Sequence, residues 1–145
     1  MPLTQMIKTL ELVIGNMCFR QIEDNDLKKR IINDIRSVIP DYSFAGYHFL
    51  NRLKLNHLPC EYDQFVVYRK GTHYCWLYRE RGVIQFNRQF NNYRSLVEDI
   101  AESKIASNAL KYAKEHSRQG RDIKRIYCEH YRTLKEQLEA RLLQE

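Results

Sequence analysis

Glycine and proline are scarce in this chain, with five and three among 145 residues. That supply leaves no room for a long flexible linker, which is normally built from such residues. The glycines (15, 46, 71, 82 and 120) are also isolated, so there is no glycine-rich phosphate loop. Neither G-x-S-x-G nor H-E-x-x-H occurs. No apolar run approaches the roughly 18 residues that cross a bilayer, and no membrane partner is expected. The opening stretch, MPLTQMIKTLELVIGNMCF, carries Lys8 and Glu11 and lacks a basic start, so it does not read as a secretory signal. The four cysteines (Cys18, Cys60, Cys75 and Cys128) show no paired spacing. Without an export signal, the expectation is a reducing, cytoplasmic compartment with free thiols.

The remaining composition is that of an ordinary folded protein, 43% hydrophobic and 29% charged. A chain of this length is about one domain and buries roughly 70% of its unfolded surface. The expected class is α+β, as a single domain over 1–145. Residues 1–60 read as helical, 61–90 as a β-meander and 91–145 as a helical hairpin. The net charge is +6. Its excess per residue is largest over 61–95, where six basic residues stand against three acidic ones.

Hydrophobic periodicity predicts the elements. Thr4 can cap a first helix, with Met6, Ile7, Leu10, Val13, Ile14 and Met17 on one face. A second helix is expected from about Asp26 to Val38, on Leu27, Ile31, Ile32 and Ile35, with Pro40 ending it. Phe44, Tyr47, Leu50 and Leu53 repeat at steps of three and predict a third helix to about Leu55. The period then changes to two. Strands are expected at 65–69, 72–79 and 83–86, with turns at Lys70-Gly71 and Arg81-Gly82. Tyr74, Trp76 and Tyr78 fall on one face of the middle strand, and His73, Cys75 and Leu77 on the other. Asn92 can cap a long helix from about Tyr93 to Arg118. After Gly120 a last helix runs from about Asp122 to Leu143. The stripe Ile123, Tyr127, Tyr131, Leu134, Leu138 and Leu142 suits packing on the chain's own domain, and its spacing also suits a short coiled coil that would join two copies. Glu98, Asp99 and Glu102 lie near the start of the preceding helix, where acids interact well with the helix dipole.

The basic, aromatic meander is the most suggestive feature. Arg69, Lys70, Arg79, Arg81, Arg88 and Arg94 are interleaved with Tyr68, Tyr74, Trp76, Tyr78, Phe86 and Tyr93, and one acid, Glu80, lies among them. Such cations neutralise phosphates, and exposed aromatic rings stack bases. The competing reading packs the rings on neighbouring helices and solvates the charges at the rim.

Three helices followed by a hairpin with a basic tip resemble, in element order, a winged helix-turn-helix domain. The resemblance spans roughly residues 1–87. It implies that the third helix enters the major groove, with His48, Asn51, Arg52 and Lys54 as its contacts. No strand precedes the second helix here, as one usually does in that family.

Two further constellations carry candidate chemistry. His57 and Cys60, with His73 and Cys75, supply zinc-type donors, but their spacings match no standard pattern and no metal is expected. Arg125 and His130 are similar to the R-x4-H element of HEPN ribonucleases. That resemblance implies phosphate binding by Arg125 and acid–base chemistry by His130, in an all-helical fold that the meander opposes.

The leading expectation is a non-enzymatic, regulatory nucleic-acid-binding protein without cofactor, with DNA ahead of RNA. Its contacts would be Asn51, Arg52, Lys54, Arg69, Lys70, Arg79, Arg81, Arg88 and Arg94, and a homodimer would form through the C-terminal helices. The alternative is a small adaptor or inhibitor that binds another protein, such as a phage- or mobile-element-encoded accessory factor. The HEPN-like ribonuclease is the second alternative.

Overall fold

A computed structural model describes residues 3, 6, 23–53, 63–118 and 120–144. Among them the fold is α+β. Helices α1 (Asn25–Arg36), α2 (Tyr93–His116) and α3 (Ile123–Leu143) accompany one sheet of four strands. The strands are β1 (Tyr47–Leu50), β2 (Gln64–Lys70), β3 (His73–Glu80) and β4 (Val83–Phe90), in the spatial order β1-β2-β3-β4. The chain divides into two compact units. One comprises Met1–Leu27 and Ala45–Asn91, the other Lys28–Phe44 and Asn92–Glu145.

The first unit holds the sheet. β2, β3 and β4 form an antiparallel meander, and β1 pairs with β2 in parallel. Both hairpin turns follow from backbone chemistry. The β2–β3 turn places Gly71 at φ 62°, and the β3–β4 turn places both Arg81 (φ 50°) and Gly82 (φ 79°) at positive φ. Consecutive positive φ values are what a two-residue type I′ hairpin requires. The Arg81 N–H donates to Asp63 Oδ1 at 3.4 Å. Where Gly82 leads into β4 the ladder is bulged, its register shifting between Tyr78 and Arg79. One face of the sheet carries a buried cluster of Leu50, Val66, Tyr68, Cys75 and Leu77. The Tyr68 hydroxyl on that face donates to Asn87 Oδ1 at 2.7 Å. Burial pushes the pKa of both Tyr68 and the Cys75 thiol up.

The third helix expected from Phe44 to Leu55 is not formed. Residues 47–50 are β1, and Asn51 and Arg52 form a bend after it. Gly46, at φ 79°, sets the chain outside the helical region just before the strand, and its carbonyl accepts from the Phe65 N–H at 2.9 Å. Tyr47 and Phe49 then face one side and His48 and Leu50 the other, in register with Phe65 to Tyr68. Pairing with β2 thus overrides a weak helical pattern. The sheet accordingly has four strands where three were expected, and β4 extends to Phe90, beyond the expected end at Phe86. The winged-helix layout loses its recognition helix. The expected first helix falls outside the described residues except for Leu3 and Met6.

The second unit is helical. Ile31, Ile35 and Ile39 are buried at steps of four along α1 and the turn after it. Asp34, 1% exposed, accepts from the Tyr93 hydroxyl at 2.6 Å and from Arg141 Nε at 3.1 Å. Arg30 lies 3.6 Å over the Tyr93 ring, and the Tyr42 hydroxyl donates to the Ile100 carbonyl at 3.3 Å. Asn92 caps α2 as expected, its side chain accepting from the Ser95 N–H at 2.8 Å. Leu96, Val97, Ile100, Ala101, Ile105, Ala109 and Ala113 form the buried stripe of α2. Leu134, Leu138 and Leu142 are buried on α3. Glu102 clasps the two long helices together, accepting from the Tyr131 hydroxyl and, at 3.0 Å, from Lys135 Nζ.

Candidate nucleic-acid interface

Strand alternation sends every second side chain to the sheet face opposite the Leu50–Leu77 cluster. Register arranges that face in three rows. Tyr47, Phe65, Tyr78 and Phe86 form one row across the four strands. Phe49, Val67, Trp76 and Arg88 form the next, and Arg69, Tyr74 and Phe90 the third. The rings interact along and between the rows. Phe65 stacks on Tyr47 at 4.6 Å and on Tyr78 at 4.5 Å, and Trp76 meets Phe86 edge-on at 4.8 Å. Val67, Phe49 and Trp76 are buried. Tyr74, Tyr78, Phe86 and Phe90 are half-buried, and Arg69 and Arg88 are exposed. Arg88 lies 4.5 Å over the Phe86 ring and Arg69 lies 5.3 Å over the Tyr74 ring. Burial, with the charges of Asp63 and Glu80, raises the Tyr78 pKa.

The nine residues singled out in the sequence do not form one site. Arg69 and Arg88 share the aromatic face, in adjacent rows and separated by β3, with Lys70 exposed one residue beyond Arg69. Arg69 also pairs with Asp24 at 3.3 Å. Arg81 projects from the β3–β4 turn at the opposite end of the strands. Arg79 is 5% exposed and donates to Gln64 Oε1 at 2.9 Å, across the sheet. Arg94 lies on α2 in the other unit and pairs with Glu98 at 2.9 Å, which raises its pKa. Asn51 and Arg52 are exposed in the bend after β1, and Lys54 lies outside the described residues. His48 faces the core side of β1. Phe90 was missed because the third strand was expected to stop at Phe86. The signal was present, since Phe86, Arg88 and Phe90 continue the step of two.

Neither of the other two constellations is brought together among the described residues. His73 and Cys75 share a face as expected, with Cys75 buried in the core, whereas His57 and Cys60 lie outside the described residues. Among the described residues no three His, Cys, Asp or Glu side chains are grouped to hold a metal ion. Arg125 and His130, five residues apart on α3, point roughly 140° apart around the helix. Arg125 pairs with Asp122 and Glu129, while His130 stacks on Tyr112 at 3.9 Å.

No family model matches this chain, and no curated protein or solved structure does either.

Proposed function

We propose that this protein binds single-stranded nucleic acid, without catalysing a reaction, on the aromatic and cationic face of its sheet, and acts as a regulatory factor. The observation that carries the reading is the Phe86-Arg88-Phe90 strip of β4, beside Tyr74 and Arg69. Half-buried rings in alternation with guanidinium groups offer bases a stacking edge and phosphates a countercharge on the same face. Stacking on such rings contributes about 1–3 kcal/mol per base and tolerates any sequence. The loss of the expected recognition helix moves the reading from duplex grooves to single strands.

The test is fluorescence anisotropy of the full chain with labelled single-stranded DNA, single-stranded RNA and duplex DNA across a salt series. Two phosphate contacts on that face, from Arg69 and Arg88, give a log–log salt slope of about −1.4 on a single strand. Arg88→Glu is expected to weaken binding at least ~10-fold, as removal of a stacked cation and reversal of its charge act together. Arg94→Glu, in the helical unit, is expected to change it little. Tighter binding to duplex than to either single strand, or no binding at low salt, would overturn the reading.

A further inference from the structure

We infer that β4 is a homodimerisation edge, through which two copies of this chain pair antiparallel and join their sheets into one of eight strands. Among the described residues β4 is the terminal strand of the sheet, bonded to β3 on one side. In an antiparallel ladder every second residue of a terminal strand turns its N–H and C=O away from its neighbour, and such groups recruit another strand. Natural monomers blunt these edges with lysine, proline, inward charges or very short strands. β4 runs eight residues, VIQFNRQF, with no proline, no lysine and no acid. A bulge is present, but it sits at the Val83 end and leaves Phe86–Phe90 regularly paired with β3. Six of the eight residues are exposed, including Val83 at 62% and Ile84 at 42%.

Self-complementarity favours a second copy as the occupant, since β4 paired antiparallel with itself about Asn87 sets Ile84 against Phe90 and Gln85 against Gln89, and charge selects the register. β4 carries a single charge, Arg88. A two-fold axis at Arg88 would oppose two arginines and is disfavoured. An axis at Asn87 instead places each Arg88 opposite Phe86 of the other copy, with Asn87 against Asn87. That repeats between copies the cation–ring contact already made within the chain at 4.5 Å. On the last helix Leu134, Leu138 and Leu142 are already buried in the chain's own helical unit. The inference shares Phe86 and Arg88 with the proposed nucleic-acid face, and its test is made without nucleic acid.

Sedimentation of the full chain from about 5 to about 500 µM is expected to show a monomer passing to a dimer, since one strand pair buries less than the ~1,600 Å² of a standard interface. Hydrogen exchange at the two extremes is expected to show protection rising in 83–90. Asn87→Lys and Asn87→Val both remove the bond to Tyr68 and differ at the edge. The lysine variant should stay monomeric at ~500 µM, and the valine variant should dimerise at least as well as the parent. A chain monomeric throughout overturns the inference. So does a dimer whose new protection falls on α3, or one that Asn87→Lys leaves intact.

Discussion

Asp34 shows what a single buried charge demands. At 1% exposure its carboxylate has lost water and is held by the Tyr93 hydroxyl and the Arg141 guanidinium. Asp34→Ala leaves that hydroxyl and cation without their acceptor. The expected loss is about 2–4 kcal/mol, read as a lower urea midpoint with unchanged slope. Tyr93→Phe removes one donor and should cost about 1 kcal/mol. A loss under about 1 kcal/mol for Asp34→Ala would mean that water takes over the site. Polar burial of this kind leaves little trace in a pattern of apolar residues, and Asp34 was not singled out from the sequence. Arg79 is different. It follows Cys75 and Leu77 at steps of two, so the alternation that buries them also buries its stem, whereas its charge and its place beside the Arg81-Gly82 turn make it an expected nucleic-acid contact.

The clasp between α2 and α3 ties stability to pH. Burial pushes the Glu102 carboxyl up, but hydrogen bonds from Tyr131 and Lys135 outweigh it and hold the pKa below the usual carboxylate value. The bond to Glu102 raises the pKa of both Tyr131 and Lys135. A carboxylate shifted down contributes fully above its unfolded pKa and loses that contribution as pH falls through the folded value. Tyr131 and Lys135, shifted up, contribute fully below their unfolded values and lose it as pH rises through the folded ones. The clasp is therefore strongest between these limits. Glu102→Gln should lower stability there by about 0.5–1 kcal/mol, since the ion pair is part-exposed. Thermal melts of parent and variant should converge as the acid limit is passed, and a gap that stays constant with pH would refute the linkage. The elements of this hairpin were legible because their apolar periods are long and uninterrupted, as were α1 and the β2–β4 meander. β1 was not. Four residues offer too short a pattern, and the partner that makes them a strand begins at Gln64, beyond local sequence.

Neither compact unit is a continuous stretch of chain. The helical unit takes Lys28–Phe44 from before the sheet and Asn92–Glu145 from after it. Its buried stripe on α1 is thus completed by residues far along the sequence, as the Asp34–Arg141 pair spans 107 positions. A fragment of residues 92–144 is expected to be incompletely ordered alone and to gain helical circular dichroism when a peptide of residues 25–44 is added. Peptide carrying Ile31→Ala and Ile35→Ala should fail to produce the gain, with each buried isoleucine contributing about 2–5 kcal/mol. An unchanged spectrum with the parent peptide would show that the hairpin is complete without it. The same interruption sets a timetable during synthesis. A ribosome adding about 5–20 residues per second needs roughly 5–20 s to travel from the end of α1 to Leu142. For that interval Ile31, Ile35 and Ile39 leave the exit tunnel with no final partner. The nascent chain therefore presents a sticky isoleucine row to chaperones, and to neighbouring nascent chains on the same message, before the mature fold hides it.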